Sequence, residues 1–116
     1  MKIKENNKTK NEMLVDKDIK NVQMKILIGP KDGSKNITMR HFTILPEGHT
    51  PFHQHNYEHI IKIESGKGMV VDKDGNETEV NEGQSIFIEP NEKHQFKNPF
   101  KQNFEFICII PNQNNN

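Results

Sequence analysis

The sequence predicts one all-β domain, a sandwich or barrel built from short strands. Its apolar residues come in short runs rich in Ile, Val and Phe. Gly, Pro, Asn or Asp interrupts these runs about every 8–12 residues, a spacing typical of β-sandwiches and barrels. No window shows the 3.6-residue apolar period of an amphipathic helix. A length of 116 residues suits a single domain.

Eight segments have the character of strands. In chain order they are residues 22–29, 37–45, 59–66, 67–72, 77–80, 85–90, 94–98 and 103–111. A turn signal follows each one: Asp32-Gly33 comes after the first, and Pro46 is the predicted end of the second. Residues 70–80, VVDKDGNETEV, predict a hairpin with Lys-Asp-Gly-Asn at its tip.

The two ends of the chain differ in composition from its middle. Residues 1–12 and 112–116 are almost wholly polar. Such segments bury too little apolar surface to offset the entropy lost on ordering, so both are predicted to be disordered tails. The folded domain is therefore expected at residues 13–111.

Charge and composition narrow the classes of partner. The chain has 16 basic and 16 acidic residues and no basic stripe, so no nucleic-acid partner is expected. It has no 18-residue apolar run and no signal-peptide core, so no membrane partner is expected. A single cysteine, Cys108, excludes an intrachain disulfide framework. These features together predict a soluble cytoplasmic protein.

Three of the six histidines fall within seven residues, at His53, His55 and His59. In an extended strand, residues two apart point to the same side, so His53 and His55 would present both rings together. Neutral imidazole binds Zn, Mn, Fe, Co, Ni and Cu. The cluster therefore indicates a metal site, and the alternative is a group of surface histidines on a polar loop.

The segment around these histidines resembles the first signature block of the cupin superfamily. His53 and His55 fill its H-x-H, His59 stands where the family usually has Glu, and Gly66 closes the block. Gly48 departs from the pattern, since it lies one residue closer to His53 than the family norm. This departure touches no predicted ligand.

A second segment resembles the second cupin block. Gly83 and His94 have the expected separation, and Asn91 replaces the glycine of the usual P-x-G turn. Asn tolerates the positive φ that such a turn requires. With this block, the resemblance covers residues 37–111.

The resemblance is greatest to small, single-domain bacterial manganese cupins with four histidine ligands, whose closing segment is matched by Phe106, Cys108 and residues 109–111. It implies a cupin jelly-roll β-barrel (double-stranded β-helix) that forms a homodimer by exchanging N-terminal strands. It also implies one divalent transition metal per chain, manganese by resemblance, with Fe, Zn, Ni and Cu left open. The implied ligands are His53, His55, His59 and His94.

Glu58 is an alternative fourth ligand, because it would restore the commoner set of three histidines and one glutamate. Its distance to Gly66 fits the motif less well than that of His59. His59 also shares strand parity with Ile61 and Ile63, which are expected inside the barrel.

Parity also predicts which side chains surround the metal. Ile61 follows His59, Phe96 follows His94, and Phe106 and Cys108 share a face of the last strand. If these faces point inward, they form an apolar collar suited to a small apolar or aromatic substrate. The alternative is that they are ordinary core residues.

Arg40 is the only arginine in the chain. Its planar guanidinium is a bidentate donor that lysine cannot replace. It could anchor a substrate carboxylate at the pocket, or it could pair with an internal Asp or Glu.

The predicted ligand set favours catalysis at an open site. Four neutral imidazoles leave a divalent ion its full charge and free coordination positions. The sequence therefore predicts a metal-dependent oxidoreductase of the dioxygenase type that acts on a small organic molecule. Alternatives are a non-catalytic sensor of a metal or small ligand, and a metal-dependent isomerase or lyase. The last would need more polar groups in the cavity than parity supplies.

Overall fold

The protein, described over residues 1–113 by a computed structural model, is a curled antiparallel sheet of nine strands. The strands are β1 Glu12–Met13, β2 Lys20–Ile28, β3 Ile37–His49, β4 His59–Ser65, β5 Lys67–Val71, β6 Glu77–Asn81, β7 Ser85–Ile88, β8 Gln95–Lys97 and β9 Phe104–Pro111. Two 3-10 turns, Asn6–Lys8 and Pro30–Asp32, are the only helical segments in this range. The predicted all-β class is confirmed. Within the same range, no helix is long and apolar enough to span a membrane.

The sheet brings together strands that are distant in the chain. Its order is β6-β5-β8-β3-β9-β4-β7, with β2 paired to β3 and β1 paired to β2. Strand β3 is central: along most of its length it pairs with β9, and its last residue, His49, pairs with Lys97 of β8. Strand β9 also pairs with β4. The strand that closes the region of cupin resemblance therefore lies beside the strand that follows the first histidines.

Side chains that alternate along the strands fill the interior of the curl. In β9, Phe104, Phe106, Cys108 and Ile110 are buried, while the residues between them are only half-buried. In β4, the buried residues are His59, Ile61 and Ile63, and Ile60 and Lys62 are exposed. The predicted period of two is therefore confirmed in both strands.

Strand β3 is longer than predicted. The prediction that it ends at Pro46 is wrong, because the strand continues to His49 through a bulge. Glu47 adopts a positive φ of 67°. Val22 of β2 pairs with Ile44, and the next pair is Lys20 with His49. Strand β3 thus has more residues than β2 between these two pairs, as a bulge requires. The bulge keeps the strand paired while it bends toward β8.

Buried Asn98 holds the bend in place. Its side-chain amide donates to the backbone oxygens of Ile44, at 2.8 Å, and Gln102, at 2.7 Å. Its backbone oxygen accepts from the N–H of Glu47 at 2.7 Å. Asn98 is 1 % exposed, so these bonds satisfy polar groups that have no access to water.

Asp32 connects the N-terminal residues to the 3-10 turn after β2. Its carboxylate accepts from the N–H of Gly29 at 3.0 Å and contacts Lys2 and Lys4, each at 3.2 Å. The Gly29 bond and the two ammonium groups lower the pKa of Asp32 to about 2. Disorder of residues 1–12 stays a prediction; of the predicted tail at 112–116, residues 114–116 lie outside the described part of the chain.

The depressed pKa of Asp32 predicts a pH-dependent contribution to stability. An unfolded Asp titrates at about 3.9, so its stabilisation is complete above about pH 4 and disappears as the pH falls through 2. The difference in unfolding free energy between wild type and Asp32→Asn should therefore be largest above pH 4 and should shrink toward pH 2. Urea titrations at several pH values measure it. Glu79→Gln, at an exposed carboxylate without an ion pair in residues 1–113, is the control and should show a smaller change with pH.

Gly66 allows the tight connection between β4 and β5. Its φ is 74°, and a Cβ there would lie 2.3 Å from the backbone oxygen of Asn103. Gly75, at the tip of the β5–β6 hairpin, has a φ of 83° but nothing within 4 Å of an added Cβ. It is therefore a control for the left-handed conformation alone.

We expect Gly75→Ala to lower the free energy of unfolding by about 1 kcal/mol and Gly66→Ala by about 3 kcal/mol. The larger loss reflects the backbone contact, which no side-chain rotation can relieve. Urea unfolding at neutral pH measures both, and equal losses would contradict the role assigned to the Asn103 contact.

Candidate metal centre

Four histidines from separate parts of the sequence lie around one cavity. His53 and His55 belong to the connection between β3 and β4, His59 is the first residue of β4, and His94 lies just before β8. His53 and His94 form an isolated antiparallel bridge, in which each backbone N–H donates to the other's oxygen, at 3.1 and 2.9 Å. The bridge brings the two signature segments into direct contact.

The imidazole rings are grouped closely. The His53 ring centre lies 4.4 Å from that of His55 and 5.2 Å from that of His94. The His59 ring centre lies 5.3 Å from His55 and 5.1 Å from His94. His55 and His94 are 6.4 Å apart. Nitrogen–metal distances of about 2.1 Å would put the ring centres of two imidazoles on one ion about 4.5–6.5 Å apart.

The distances between the ring centres suit a shared ion, whereas the ring nitrogens are not aimed at a common point. In residues 1–113, no three His, Cys, Asp or Glu side chains have their donor atoms arranged to hold a metal ion. The two observations are compatible, because ring centres report where the side chains are, whereas coordination also depends on ring rotation. Binding would therefore require the rings to turn within the space they already occupy.

Hydrogen bonding leaves nitrogens free for a metal. Nδ1 of His94 lies 2.8 Å from the backbone oxygen of Glu92. A carbonyl only accepts, so Nδ1 carries the proton and Nε2 of the neutral ring keeps its lone pair. Nδ1 of His59 is buried without a hydrogen-bond partner in residues 1–113. An unpartnered buried nitrogen is costly, so the donor set fits a metal ion.

The surroundings keep the four imidazoles uncharged. Burial lowers the pKa of His53 to about 4 and that of His59 to about 3, and the nearby histidines and Arg40 disfavour protonation further. Burial also lowers the pKa of His55 and of His94. Only the unprotonated ring can bind a metal, so all four are in the competent form at neutral pH.

His59 and Glu58 differ in position. His59 is 5 % exposed and lines the cavity, whereas Glu58 is exposed and lies outside the lining. His59 is the first residue of β4 and shares its buried face with Ile61 and Ile63, whereas Glu58 precedes the strand. The position of His59 supports it as the fourth ligand, and the ligand set stays a prediction.

The cavity encloses about 340 Å³ and has mostly apolar walls, a volume at the small end of the range for ligand pockets. All five residues predicted beside the site line it. They are Ile61, Phe96, Phe106, Cys108 and Arg40. Their role beside a bound metal stays a prediction.

Aromatic stacking organises the walls. Phe106 stacks on Phe42 at 5.2 Å and on Phe96 at 4.6 Å between ring centres. Tyr57 stacks on His55 at 4.9 Å with 14° between the ring planes. Stacked aromatic pairs contribute about 0.5–1.5 kcal/mol beyond the burial of their area, so these contacts stabilise the walls around the histidines.

Sequence reasoning missed one side of the cavity. Leu14, Asp16 and Ile19, from the segment between β1 and β2, line it together with Met24 of β2. This segment is held by the N–H of Leu14, which donates to the oxygen of Val22 at 2.8 Å. The apolar residues Leu14 and Ile19, on either side of VDKD, are a weak signal of this wall.

Cys108 lies in the wall as a neutral thiol. Burial raises the pKa of Cys108, and the neighbouring Arg40 offsets part of this effect. The absence of an activated thiolate agrees with a wall residue rather than a nucleophile. The remaining histidines, His41 and His49, are outside the lining.

Comparison with known proteins shows which family and which solved structures the chain is similar to. Residues 40–110 match the model of the Cupin_2 family, described as a cupin domain. The polyketide cyclase RemF from Streptomyces resistomycificus is 30 % identical, with a TM-score of 0.93 over 100 % of this chain and 82 % of that one. A predicted oxalate decarboxylase from Thermotoga maritima is 20 % identical, with a TM-score of 0.84 over 97 % of this chain and 100 % of that one. No curated protein matches the chain.

The choice between His59 and Glu58 predicts a difference in metal affinity. We expect His59→Ala to weaken binding of Mn²⁺ or Zn²⁺ at least about tenfold, because one of four nitrogen ligands is lost. Glu58→Ala, at the adjacent exposed residue, should bind within about twofold of wild type. Calorimetric titration of EDTA-treated protein measures both, and the reverse order would assign the fourth ligand to Glu58.

Proposed function

The chain belongs to the cupin family, and on this basis we propose that it is a metal-dependent enzyme acting on a small organic molecule. The observation that carries the proposal is the grouping of four unprotonated imidazoles at a cavity with apolar walls. A closed structural site would more typically be a saturated tetrahedral set containing cysteines. Here the only cysteine is a neutral thiol in the wall.

The residues that would hold the metal are His53, His55, His59 and His94. By resemblance the metal is manganese, and these nitrogen ligands would also accept Fe, Zn, Ni or Cu. When bound, a divalent ion supplies Lewis-acid polarisation of a substrate oxygen. The His94–Glu92 hydrogen bond keeps one ring in the ligating tautomer before any ion arrives.

The walls orient the substrate and exclude water. Phe42, Phe96 and Phe106 form a stacked apolar surface against which a ring or short hydrocarbon body can pack. Burial raises the pKa of Tyr57, whose hydroxyl therefore stays protonated at neutral pH. Tyr57 can then donate a hydrogen bond or a proton to an oxygen of the substrate.

Oxidation of the dioxygenase type is the first candidate reaction. It requires an apolar pocket and coordination positions beyond those that the protein fills. Four ligands would leave two positions free on a six-coordinate ion, and the walls are mainly aromatic and aliphatic. Both features support the reaction expected from the sequence.

A redox-neutral reaction, such as cyclisation or isomerisation, is the second candidate. It is favoured by the 30 % identity, over the whole chain, to a protein described as a polyketide cyclase. It is also favoured by the polar groups of the cavity, which outnumber those expected from parity. They include Arg40, Thr50 and Tyr57.

The homodimer stays a prediction. Near the N-terminal edge of the sheet, Met13 is 49 % exposed and Ile26 is 43 % exposed. Single apolar side chains on a surface are ordinary, so the support for a dimer is the resemblance to cupins that exchange N-terminal strands.

Oxygen dependence separates the two reactions. Protein loaded with Mn²⁺ or Fe²⁺ is incubated with a panel of phenols, β-diketones and alkenes in an oxygen electrode, and the products are identified by mass spectrometry. Dioxygenase activity predicts oxygen uptake in step with product that carries two added oxygen atoms. The redox-neutral alternative predicts product of unchanged elemental composition, or loss of water only, also under argon.

Histidine variants connect either activity to the site. His53→Ala should reduce turnover at least about 100-fold, since a ligand is lost, whereas His49→Ala, outside the cavity, should stay near wild type. Calorimetry on the same panel detects binding. Tight ligand binding without turnover would contradict the enzyme and support a non-catalytic sensor.

A further inference from the structure

Arg40 is a half-buried cation without an anionic partner in residues 1–113. It lies near the start of β3, paired with Ile26 of β2 and Cys108 of β9, and it lines the cavity with the four histidines. In residues 1–113, no Asp or Glu oxygen lies within 4.0 Å of its guanidinium, so the internal ion pair considered from the sequence is not formed. A charge that is partly removed from water is stabilised by pairing with an opposite charge or by hydrogen bonds.

Only weak contacts compensate the charge of Arg40. Its Nη2 donates to Sγ of Cys108 at 3.2 Å, and a thiol is a weak acceptor. The guanidinium carbon lies 4.9 Å from the ring centre of Phe42, a cation–π contact. Nε is buried and has no hydrogen-bond partner in residues 1–113. The guanidinium therefore has donor capacity that the protein does not use.

Other charges at the cavity do not neutralise it. Within residues 1–113, Asp16 is the only acidic residue that lines the cavity; it is exposed, and its carboxylate accepts from the backbone N–H of Asp18 at 3.2 Å. Arg40 therefore lines the cavity, next to its aromatic walls, with no carboxylate of residues 1–113 within 4.0 Å of its guanidinium.

From these contacts we infer that Arg40 binds the carboxylate of a small organic acid, so that the substrate of the proposed enzyme is anionic. The inference rests on the proposed function and adds the class of substrate. A carboxylate matches the planar fork of arginine with two parallel hydrogen bonds. The body of the acid would pack on Phe42 and Phe106, and the cavity of about 340 Å³ suits a molecule with one ring.

Arg40 is therefore a substrate-anchoring residue. It sets which molecules enter, and it fixes the distance between their acidic group and the histidines. Because Cys108 is cross-strand partner to both Arg40 and Ile61, the anchor and the wall beside His59 are held by the same strand.

The test compares an acid with its neutral analogue of the same shape. Binding of benzoate and benzamide is measured by calorimetry at one ionic strength, first with EDTA-treated protein and then with Zn²⁺ added. We expect wild type to bind benzoate at least about tenfold more tightly than benzamide, the size of one charge-assisted hydrogen bond. Arg40→Gln should remove this preference, and its affinity for benzamide should stay within about twofold of the wild-type value.

Two further variants make the test specific. Lys25→Gln removes a neighbouring positive charge on β2 outside the cavity, and it should keep the preference within about twofold. Arg40→Lys keeps the positive charge but loses the planar, two-donor guanidinium, and it should weaken the binding of benzoate several-fold. Arg40→Lys tests the inference by itself if circular dichroism shows that Arg40→Gln does not fold.

The inference is overturned if wild type does not prefer benzoate, or if Arg40→Gln keeps the preference. It is also overturned if Lys25→Gln loses as much of the preference for benzoate as Arg40→Gln does, since a general electrostatic effect would then explain the result. Failure of the proposed function is a separate outcome: it would appear as a lack of Zn²⁺ or Mn²⁺ binding, while the EDTA-treated samples still report on Arg40.

Discussion

The candidate site depends on the two backbone hydrogen bonds that join His53 to His94. They pair a residue of the β3–β4 connection with one that precedes β8, so two distant segments meet at the open end of the curled sheet. Directly opposed residues of an antiparallel pair project to the same face, with Cβ atoms about 5 Å apart. His55 lies two residues further along, and His59 begins β4 beside them. Without this bridge, the four rings would not share a cavity.

Local patterns in the sequence were enough to predict most of the sheet and the inward-facing residues. Alternation along a strand is a property of the backbone, so the burial of Ile61, Phe96, Phe106 and Cys108 could be read from parity alone. The resemblance to the cupin blocks, now supported by the family match, then connected two segments that periodicity could not relate. The preference for His59 over Glu58 combined both arguments, and burial agrees with it.

Features that depend on contacts between distant residues were not predictable. Pro46 predicts the end of a strand, but a bulge held by Asn98, far away in sequence, lets β3 continue. Residues 14–19 form a wall of the cavity because of where β2 lies, which composition does not encode. Only three-dimensional contacts could decide whether Arg40 has an acidic partner, since a side chain's neighbours across a sheet are set by the whole topology.

The wall contributed by Leu14, Asp16 and Ile19 differs in kind from the rest of the cavity. The walls from β3, β4 and β9 are paired strands whose side chains belong to the core, so replacing them would disturb packing. This segment, in contrast, lies between two strands: Asp16 is exposed, and Leu14 and Ile19 are only partly buried where they pack against the core. Evolution could exchange a few residues there and change the choice of substrate while keeping the barrel and its histidines intact. The same short segment is the natural place to graft new specificity onto this scaffold.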